Sequence, residues 1–162
     1  MLVVADTSPF VVLANINQTG ILPALFGVVL VPPQIIAELS KPERSQPTRQ
    51  FLASRPPRLL ERTPSRFQRI GKLDVGESAA IGLAMELKAD LLLIDEERGR
   101  SVARNYGLHI TGTIGVLELA AEAKLLDLAA AFAAIKLTDF WVSHDFLDER
   151  LKLFIKSKEP SS

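Results

Sequence analysis

Cysteine is absent from the sequence, and aromatic residues make up only 6% of it. Without cysteine the chain can form no disulfide bond, no zinc–thiolate site and no thiol nucleophile. Long apolar runs are missing too, since none approaches the roughly 20 residues that a transmembrane helix needs. Asp6 interrupts the apolar N-terminal stretch, and no basic residue precedes it, so a buried strand is a better interpretation than a signal peptide. We therefore expect a cytoplasmic protein that has no membrane partner.

Basic residues are missing from the first 40 positions, although the whole chain carries 19 basic and 19 acidic side chains. The segment that follows, residues 41–72, carries nine basic and only two acidic side chains, and we refer to it as the basic segment. Such a distribution is typical of a protein in which a polyanion approaches an acidic pocket. A solvated face without a ligand explains it equally well.

Hydrophobic residues make up 48% of the 162 positions, which is enough for a domain with one core. Short runs that are apolar throughout alternate with helical patterns. This alternation predicts an α/β fold in which helices cover both faces of a parallel sheet. Strands are predicted at Leu2–Ala5, Val28–Val31, Leu59-Leu60, Leu91–Ile94 and His109–Thr111.

Helices are predicted between these strands. Ser8 and Pro9 have the character of an N-cap and a first helical residue, for a helix that runs to about Ile16. The basic segment contains several prolines and is expected to hold one or two short helices. Further helices are predicted at Gln34–Leu39, Asp74–Lys88, Arg98–Tyr106, Ile114–Ala123, Asp127–Ile135 and Phe146–Lys156. We expect one domain over residues 1–151, followed by a C-terminal tail at 152–162.

Two acidic residues, Asp6 and Asp95, directly follow predicted strands. Because ligands of an open parallel sheet bind at the carboxyl ends of its strands, we expect the two carboxylates to converge. Asp6 could instead cap a helix, but Ser8 already fills that role, which favours a functional one. Asp95 could also serve a turn or a cap. The adjacent Glu96 and Glu97 favour function there, because neighbouring carboxylates repel one another unless a cation or a proton intervenes.

Glu38 and Glu77 are further candidates. Glu38 lies in the last turn of its predicted helix, where the helix dipole disfavours a carboxylate by about 0.3–1 kcal/mol. This placement indicates a nearby cation, either a metal ion or the side chain of Lys41 or Arg44. Glu77 has capping-box spacing from Asp74, which accounts for both residues locally. Three or four acids without cysteine suit a hard divalent cation and metal-dependent phosphodiester hydrolysis.

Several short motifs follow one another in a recognisable order between about Leu2 and Leu151. They are Ala5-Asp6-Thr7-Ser8-Pro9, Pro32-Pro33 leading to Glu38, Leu73–Ser78 with Ala79, Ala80 and Ile81, Leu91–Glu96, Val102-Ala103-Arg104 and Thr111–Leu117. Together they resemble the PIN-domain superfamily, in its prokaryotic branch related to the nucleases of toxin–antitoxin pairs. The resemblance implies a five-stranded parallel sheet, Mg²⁺ or Mn²⁺ as cofactor, single-stranded RNA as substrate, a homodimer, and a small antitoxin protein as partner.

The resemblance also implies roles for individual residues. The family's catalytic and metal-binding acids correspond to Asp6, Glu38, Glu77 and Asp95. Ser8 matches a hydroxyl that supports the first Asp. Many relatives have one more Asp after the fourth strand, where this chain has Glu96 and Glu97. We count Glu96 among the metal ligands, although either residue could complete the site. Ser8, Arg98 and Thr113 are expected to contact substrate. Ion pairing is the alternative for Arg98, and local turn or cap bonding is the alternative for Thr113.

The leading hypothesis is therefore an Mg²⁺- or Mn²⁺-dependent endoribonuclease, in the role of a toxin. A PIN fold that binds RNA or a protein without catalysis is the alternative, since it would share the basic segment. A phosphoacceptor signalling domain also places acids at strand ends. It is disfavoured because Thr111-Gly112-Thr113 lacks the lysine that such domains have after the last strand.

Overall fold

A computed structural model of the chain describes residues 1–160. Its five strands are β1 (Val3–Ala5), β2 (Val29–Val31), β3 (Leu59–Glu61), β4 (Leu91–Leu93) and β5 (Ile110–Thr111). They form one sheet in the order β3-β2-β1-β4-β5, and every neighbouring pair is parallel. The predicted α/β fold with a five-stranded parallel sheet is confirmed, and β3 and β5 lie at its two edges.

Nine helices occur within residues 1–160. They are α1 (Thr7–Asn15), α2 (Ile21–Phe26), α3 (Pro33–Leu39), α4 (Gln46–Ala53), α5 (Val75–Leu87), α6 (Glu97–Asn105), α7 (Thr113–Glu122), α8 (Leu128–Lys136) and α9 (His144–Ser157). Of the helices in this described range, none combines the length and the apolar character needed to cross a membrane.

Helix α1 begins earlier than the sequence predicts. Its N-cap is Asp6, so the prediction that Ser8 caps this helix was wrong. Pro9 is the third helical residue, a position it can occupy because the first N–H groups of a helix have no intrahelical partner. The Asp6 side chain nevertheless makes no capping hydrogen bond. Asp6 therefore occupies the N-cap position, but its carboxylate does not cap the helix.

The described chain falls into two compact units. Met1–Thr113 contains the sheet and α1–α6, and the segment from Ile114 onward contains α8, α9 and all of α7 except its first residue. Within the second unit, the Arg150 guanidinium forms an ion pair with Glu118 at 2.7 Å. The predicted domain boundary at residue 151 falls inside α9. Residues 161–162 of the predicted tail lie outside the described part of the chain.

The core of the first unit explains why its three central strands, β2, β1 and β4, are apolar throughout. Val4 is in register with Leu30 on one side and with Leu92 on the other, so the three side chains share one face of the sheet. They pack in one buried cluster with residues of α5 and α6, including Ile81 and Ala103. The residues that point to the other face are buried as well, among them Val3, Ala5, Val29, Val31 and Leu93. Polar groups are thus left to the strand ends.

Candidate active site

A cleft of about 200 Å³ opens beside the carboxyl ends of β1 and β4. The strand order reverses between these two strands, since β2 and β3 lie on one side of β1 while β4 and β5 lie on the other. Such a switch point is where open α/β sheets bind their ligands. The cleft is lined by Asp6, Thr7, Ser8, Val11, Glu38, Arg44, Asp74, Glu77 and Glu96. The structure thus brings together five acidic side chains from distant parts of the sequence.

Asp6 enters the cleft directly from the end of β1. Its backbone N–H donates to the Leu93 carbonyl oxygen at 2.9 Å, which ties the residue to β4. The residue is only 7% exposed. Asp6 is therefore a buried acid in a fixed position, held by the backbone of the two central strands.

Glu38 projects from the last turn of α3, as predicted. The Thr7 hydroxyl donates a hydrogen bond to Glu38 Oε2 at 2.5 Å. Arg44 donates from Nε to the backbone carbonyl oxygen of Glu38 at 3.0 Å, rather than to its carboxylate. Within residues 1–160, no ion pair joins the Glu38 carboxylate to Lys41 or Arg44. A salt bridge therefore does not explain why an acid stands at this helix end.

Glu77 and Asp74 form the capping box that their spacing predicts. Glu77 N donates to Asp74 Oδ1 at 2.8 Å, and Asp74 N donates to Glu77 Oε2 at 3.3 Å. The other carboxylate oxygen of Glu77, Oε1, is buried and has no hydrogen-bond partner in the described residues. A buried polar atom without a partner costs free energy. The capping box satisfies Oε2 of Glu77 but does not explain why Oε1 is buried.

Two glycines allow helices to approach the acids closely. A Cβ atom on Gly76 in α5 would lie 2.8 Å from Glu38 Cδ and 3.0 Å from Glu38 Oε2. A Cβ atom on Gly99 in α6 would lie 2.9 Å from Glu77 Oε1. Side chains at these two positions would displace the carboxylates, so the packing of α5 and α6 around the cleft depends on glycine there.

The electrostatics of the cleft are those of crowded acids. Burial, together with the charges of Glu77, Glu38 and Asp74, raises the pKa of Asp6 to about 7. Burial, together with the charges of Asp74 and Glu96, likewise raises the pKa of Glu77 to about 7. No salt bridge to any of these acids occurs in the described part of the chain. Protons or a bound cation must therefore compensate their charge.

Three predicted site residues lie apart from the cleft lining. Both Asp95 oxygens accept hydrogen bonds from Thr113, one from its N–H and one from its hydroxyl, each at 2.7 Å. Arg98 is exposed at the start of α6. It is Glu96, the next residue after Asp95, that lines the cleft. The catalytic or substrate-binding roles of Asp95, Arg98 and Thr113 stay predictions.

Sequence reasoning did not assign to the site three polar residues that line the cleft. Thr7, rather than Ser8, donates to a cleft carboxylate, although both hydroxyls follow Asp6 in the sequence. The sequence indicated only a helix-capping role for Asp74, which also lines the cleft. Arg44 lines the rim and belongs to the basic segment, whose charge was the available signal.

The model of the DUF3368 family, described as a PIN domain, matches residues 2–156. The chain is a PIN domain. PIN domains are typically nucleases and usually use divalent metal ions. The family suggested by the sequence motifs is therefore confirmed.

Among solved structures, this PIN domain is similar to a PilT N-terminus domain protein from the hyperthermophilic archaeon Sulfolobus solfataricus P2. The two are 19% identical, the match covers 75% of this chain and 95% of that chain, and the TM-score is 0.54. At this identity the likeness concerns the fold alone. No curated protein is similar enough in sequence to count as a match.

The cleft of this PIN domain suits a hydrated divalent ion better than a fully caged one. Among residues 1–160, no three His, Asp or Glu side chains are arranged so that they could hold one metal ion together. Mg²⁺ usually keeps several waters and uses only one or two carboxylates. The unpaired, buried Oε1 of Glu77 and the uncompensated Asp6 are donors of that kind.

Proposed function

We propose that this PIN domain is an Mg²⁺- or Mn²⁺-dependent endoribonuclease that hydrolyses phosphodiester bonds of single-stranded RNA in the cytoplasm. The observation that carries the proposal is the crowding of five acids at the switch point of the sheet, two of them buried with a raised pKa and none of them ion-paired within residues 1–160. Perturbed carboxylates in a cleft are characteristic of catalytic sites.

In this proposal Asp6 and Glu77 would hold the metal ion, and Glu38 and Glu96 would help to hold it in the same cleft. When bound, such an ion would activate a water molecule and stabilise the charge of the reacting phosphate. The Thr7 hydroxyl keeps the Glu38 carboxylate oriented toward the cleft. The assignment of Asp95 as a catalytic ligand rests on the family resemblance.

Arg44 is suited to bind the substrate at the rim of the cleft. Its Nε is held by the Glu38 carbonyl oxygen at 3.0 Å, which fixes the guanidinium group beside the acids. The remaining N–H groups of a guanidinium can bind two oxygens of one phosphate. We therefore propose that Arg44 orients the RNA backbone for attack.

The test is cleavage of single-stranded RNA by wild type and Asp6→Asn with Mn²⁺. We expect Asp6→Asn to lower the rate by roughly two orders of magnitude or more, because it removes a ligand that is needed to place the ion. Urea unfolding checks that the variant is folded. Glu97→Gln is the matched control, since Glu97 is exposed, pairs with Arg104 and lies outside the cleft lining. Wild-type activity that persists in excess EDTA would refute the proposal.

A non-catalytic RNA-binding PIN fold is the second candidate. It is favoured by the finding that, within the described residues, no three acids are already arranged to hold an ion. Titration of Mn²⁺ by calorimetry separates the two functions. Mn²⁺ binding that is lost in Asp6→Asn supports the nuclease, whereas RNA binding without any Mn²⁺ binding supports the non-catalytic module.

We further propose that the protein acts as the toxin of a toxin–antitoxin pair, as a homodimer with a small antitoxin as its partner. The support is the resemblance of the sequence to that branch of the family. A short reading frame for a DNA-binding protein beside the gene, together with a dimer mass by light scattering, is the expected result. A lone gene and a monomer would contradict this role while leaving the nuclease proposal in place.

A further inference from the structure

A second polar cleft, of about 450 Å³, lies within the first unit beside α5, and we refer to it as the α5 groove. One wall comes from the basic segment and the other from the second half of α5 and the end of α6. The side chains that matter most are Arg66, Gln68 and Arg69 on the first wall, and Met85, Glu86 and Tyr106 on the second. None of them lines the acidic cleft.

The guanidinium groups of the α5 groove are not neutralised by the protein. Within residues 1–160, neither Arg66 nor Arg69 forms an ion pair with a carboxylate. Arg66 donates to Gln68 Oε1 at 3.1 Å, a neutral acceptor. The acid in the groove, Glu86, accepts three hydrogen bonds from Ser65, at 3.1, 3.0 and 2.6 Å. The two arginines outnumber this one carboxylate, so the lining of the groove has a net positive charge for an anionic ligand.

The α5 groove also has an exposed aromatic ring and an exposed thioether. Tyr106 is 50% exposed at the C-cap of α6, and Met85 is 39% exposed on α5. An accessible aromatic ring next to arginines is the combination by which proteins bind unpaired nucleic acid, since bases stack on the ring while cations follow the phosphates.

The α5 groove is linked structurally to the acidic cleft. Arg69 Nε donates at 2.9 Å to the carbonyl oxygen of Leu73, the residue that directly precedes Asp74 of the cleft. Helix α5 contributes to both, with Glu77 near its start and Met85 two turns further on. Eight residues of helix correspond to about 12 Å, a distance that a few nucleotides of a single strand can bridge.

We infer that the α5 groove binds single-stranded RNA a few nucleotides away from the bond that is cut, with a base stacked on Tyr106 and phosphates paired to Arg66 and Arg69. This inference rests on the proposed ribonuclease function, for which it names a substrate subsite. It implies that affinity for RNA depends on residues outside the acidic cleft.

The test is fluorescence anisotropy with a labelled single-stranded RNA of about ten nucleotides, measured over a series of KCl concentrations in EDTA so that the strand stays intact. Tyr106→Ala should weaken binding about tenfold at every salt concentration, and Tyr106→Phe should bind like wild type because it keeps the ring. Arg66→Ala should weaken binding and reduce the slope of log K against log [KCl] by about 0.7, the effect of one lost phosphate contact.

Arg58→Ala is the matched control, because Arg58 belongs to the same basic segment but lines a different, mainly apolar cleft. We expect it to bind RNA like wild type.

The inference would be overturned if Arg58→Ala and Arg66→Ala lost the same amount of RNA affinity. It would also be overturned if Tyr106→Ala and Arg66→Ala both kept wild-type RNA affinity. Cleavage with Mn²⁺ is measured on the same proteins. If wild type cleaves RNA but the groove variants bind RNA like wild type, this inference alone is refuted. If RNA binds through the groove but is not cleaved, the nuclease proposal alone is refuted. If wild type does not bind RNA at all, the inference is refuted.

Discussion

At the scale of single residues, the neighbours Asp95 and Glu96 have different surroundings. Asp95 is hydrogen-bonded through both oxygens to the fully buried Thr113, whereas Glu96 lines the acidic cleft. We expect Asp95→Ala to lower the free energy of unfolding by about 1–3 kcal/mol, because it leaves the N–H and hydroxyl of Thr113 unpaired in the interior. Urea denaturation measures this loss, and calorimetry should show Mn²⁺ affinity largely retained.

Glu96→Gln is the counterpart of that variant. It should keep wild-type stability, because the Glu96 side chain is exposed, and it should weaken Mn²⁺ binding. The reverse pattern, with Mn²⁺ binding lost in Asp95→Ala at unchanged stability, would show that Asp95 is a direct ligand, as the family resemblance implies.

The same residues show how far a sequence can predict a site. Asp6 was recognisable because it follows an apolar strand, and the structure places it in the cleft, although the supporting argument that Ser8 is the N-cap was wrong. Asp74 was not recognised, because its capping-box spacing gave a complete local explanation. A residue that serves two purposes shows only the local one in the sequence, since the second depends on elements that are distant along the chain.

At the scale of helices and strands, Gly76 controls how closely α5 approaches α3. We expect Gly76→Ala to weaken Mn²⁺ binding, because its methyl group would occupy the place of the Glu38 carboxylate. The Glu38 side chain would have to rotate away from the cleft, and its hydrogen bond from Thr7 would be lost. Calorimetric titration with Mn²⁺ measures the effect on affinity, and thermal unfolding measures the effect on stability.

Gly82→Ala provides the control on the same helix, since a Cβ atom there meets nothing within 4 Å. It should raise stability by about 0.5–1 kcal/mol through helix propensity and leave Mn²⁺ affinity unchanged. If Gly76→Ala behaved in the same way, the close approach of α5 to Glu38 would be irrelevant to the metal site.

Local patterns predicted most elements to within a residue or two. All five strands were predicted, and β1, β2 and β4 were the clearest because each is a short run that is apolar throughout. Helix α2 was missed because it is short and Pro23 interrupts its apolar pattern, although proline is tolerated in a first turn. Strand order was not predictable in this way. It depends on packing between segments far apart in the sequence, and it decides that Asp6 and Glu96 line the same cleft.

At the scale of the whole molecule, the crowded acids should make stability depend on pH. Asp6 and Glu77 have a pKa of about 7 in the folded protein, compared with ordinary values of 3.8 and 4.5. At pH values between the ordinary pKa and the pKa in the folded protein, the folded state binds more protons than the unfolded state. The free energy of unfolding therefore falls as pH rises through this range. Glu86 and Asp148 have lowered pKa values, so their opposite contribution is already complete above the ordinary carboxyl range.

We therefore expect the metal-free protein to lose roughly 2–4 kcal/mol of stability between pH 5 and pH 8, measured by urea unfolding in EDTA. Asp6→Asn should flatten this slope and be more stable than wild type at pH 8, since its amide does not ionise. Mn²⁺ binds the deprotonated carboxylates, so it should raise the melting temperature strongly at pH 8 and little at pH 5. A wild-type protein whose stability is constant over this range, and whose response to Mn²⁺ is equal at both pH values, would show that the acids of the cleft are neither crowded nor available to a metal ion.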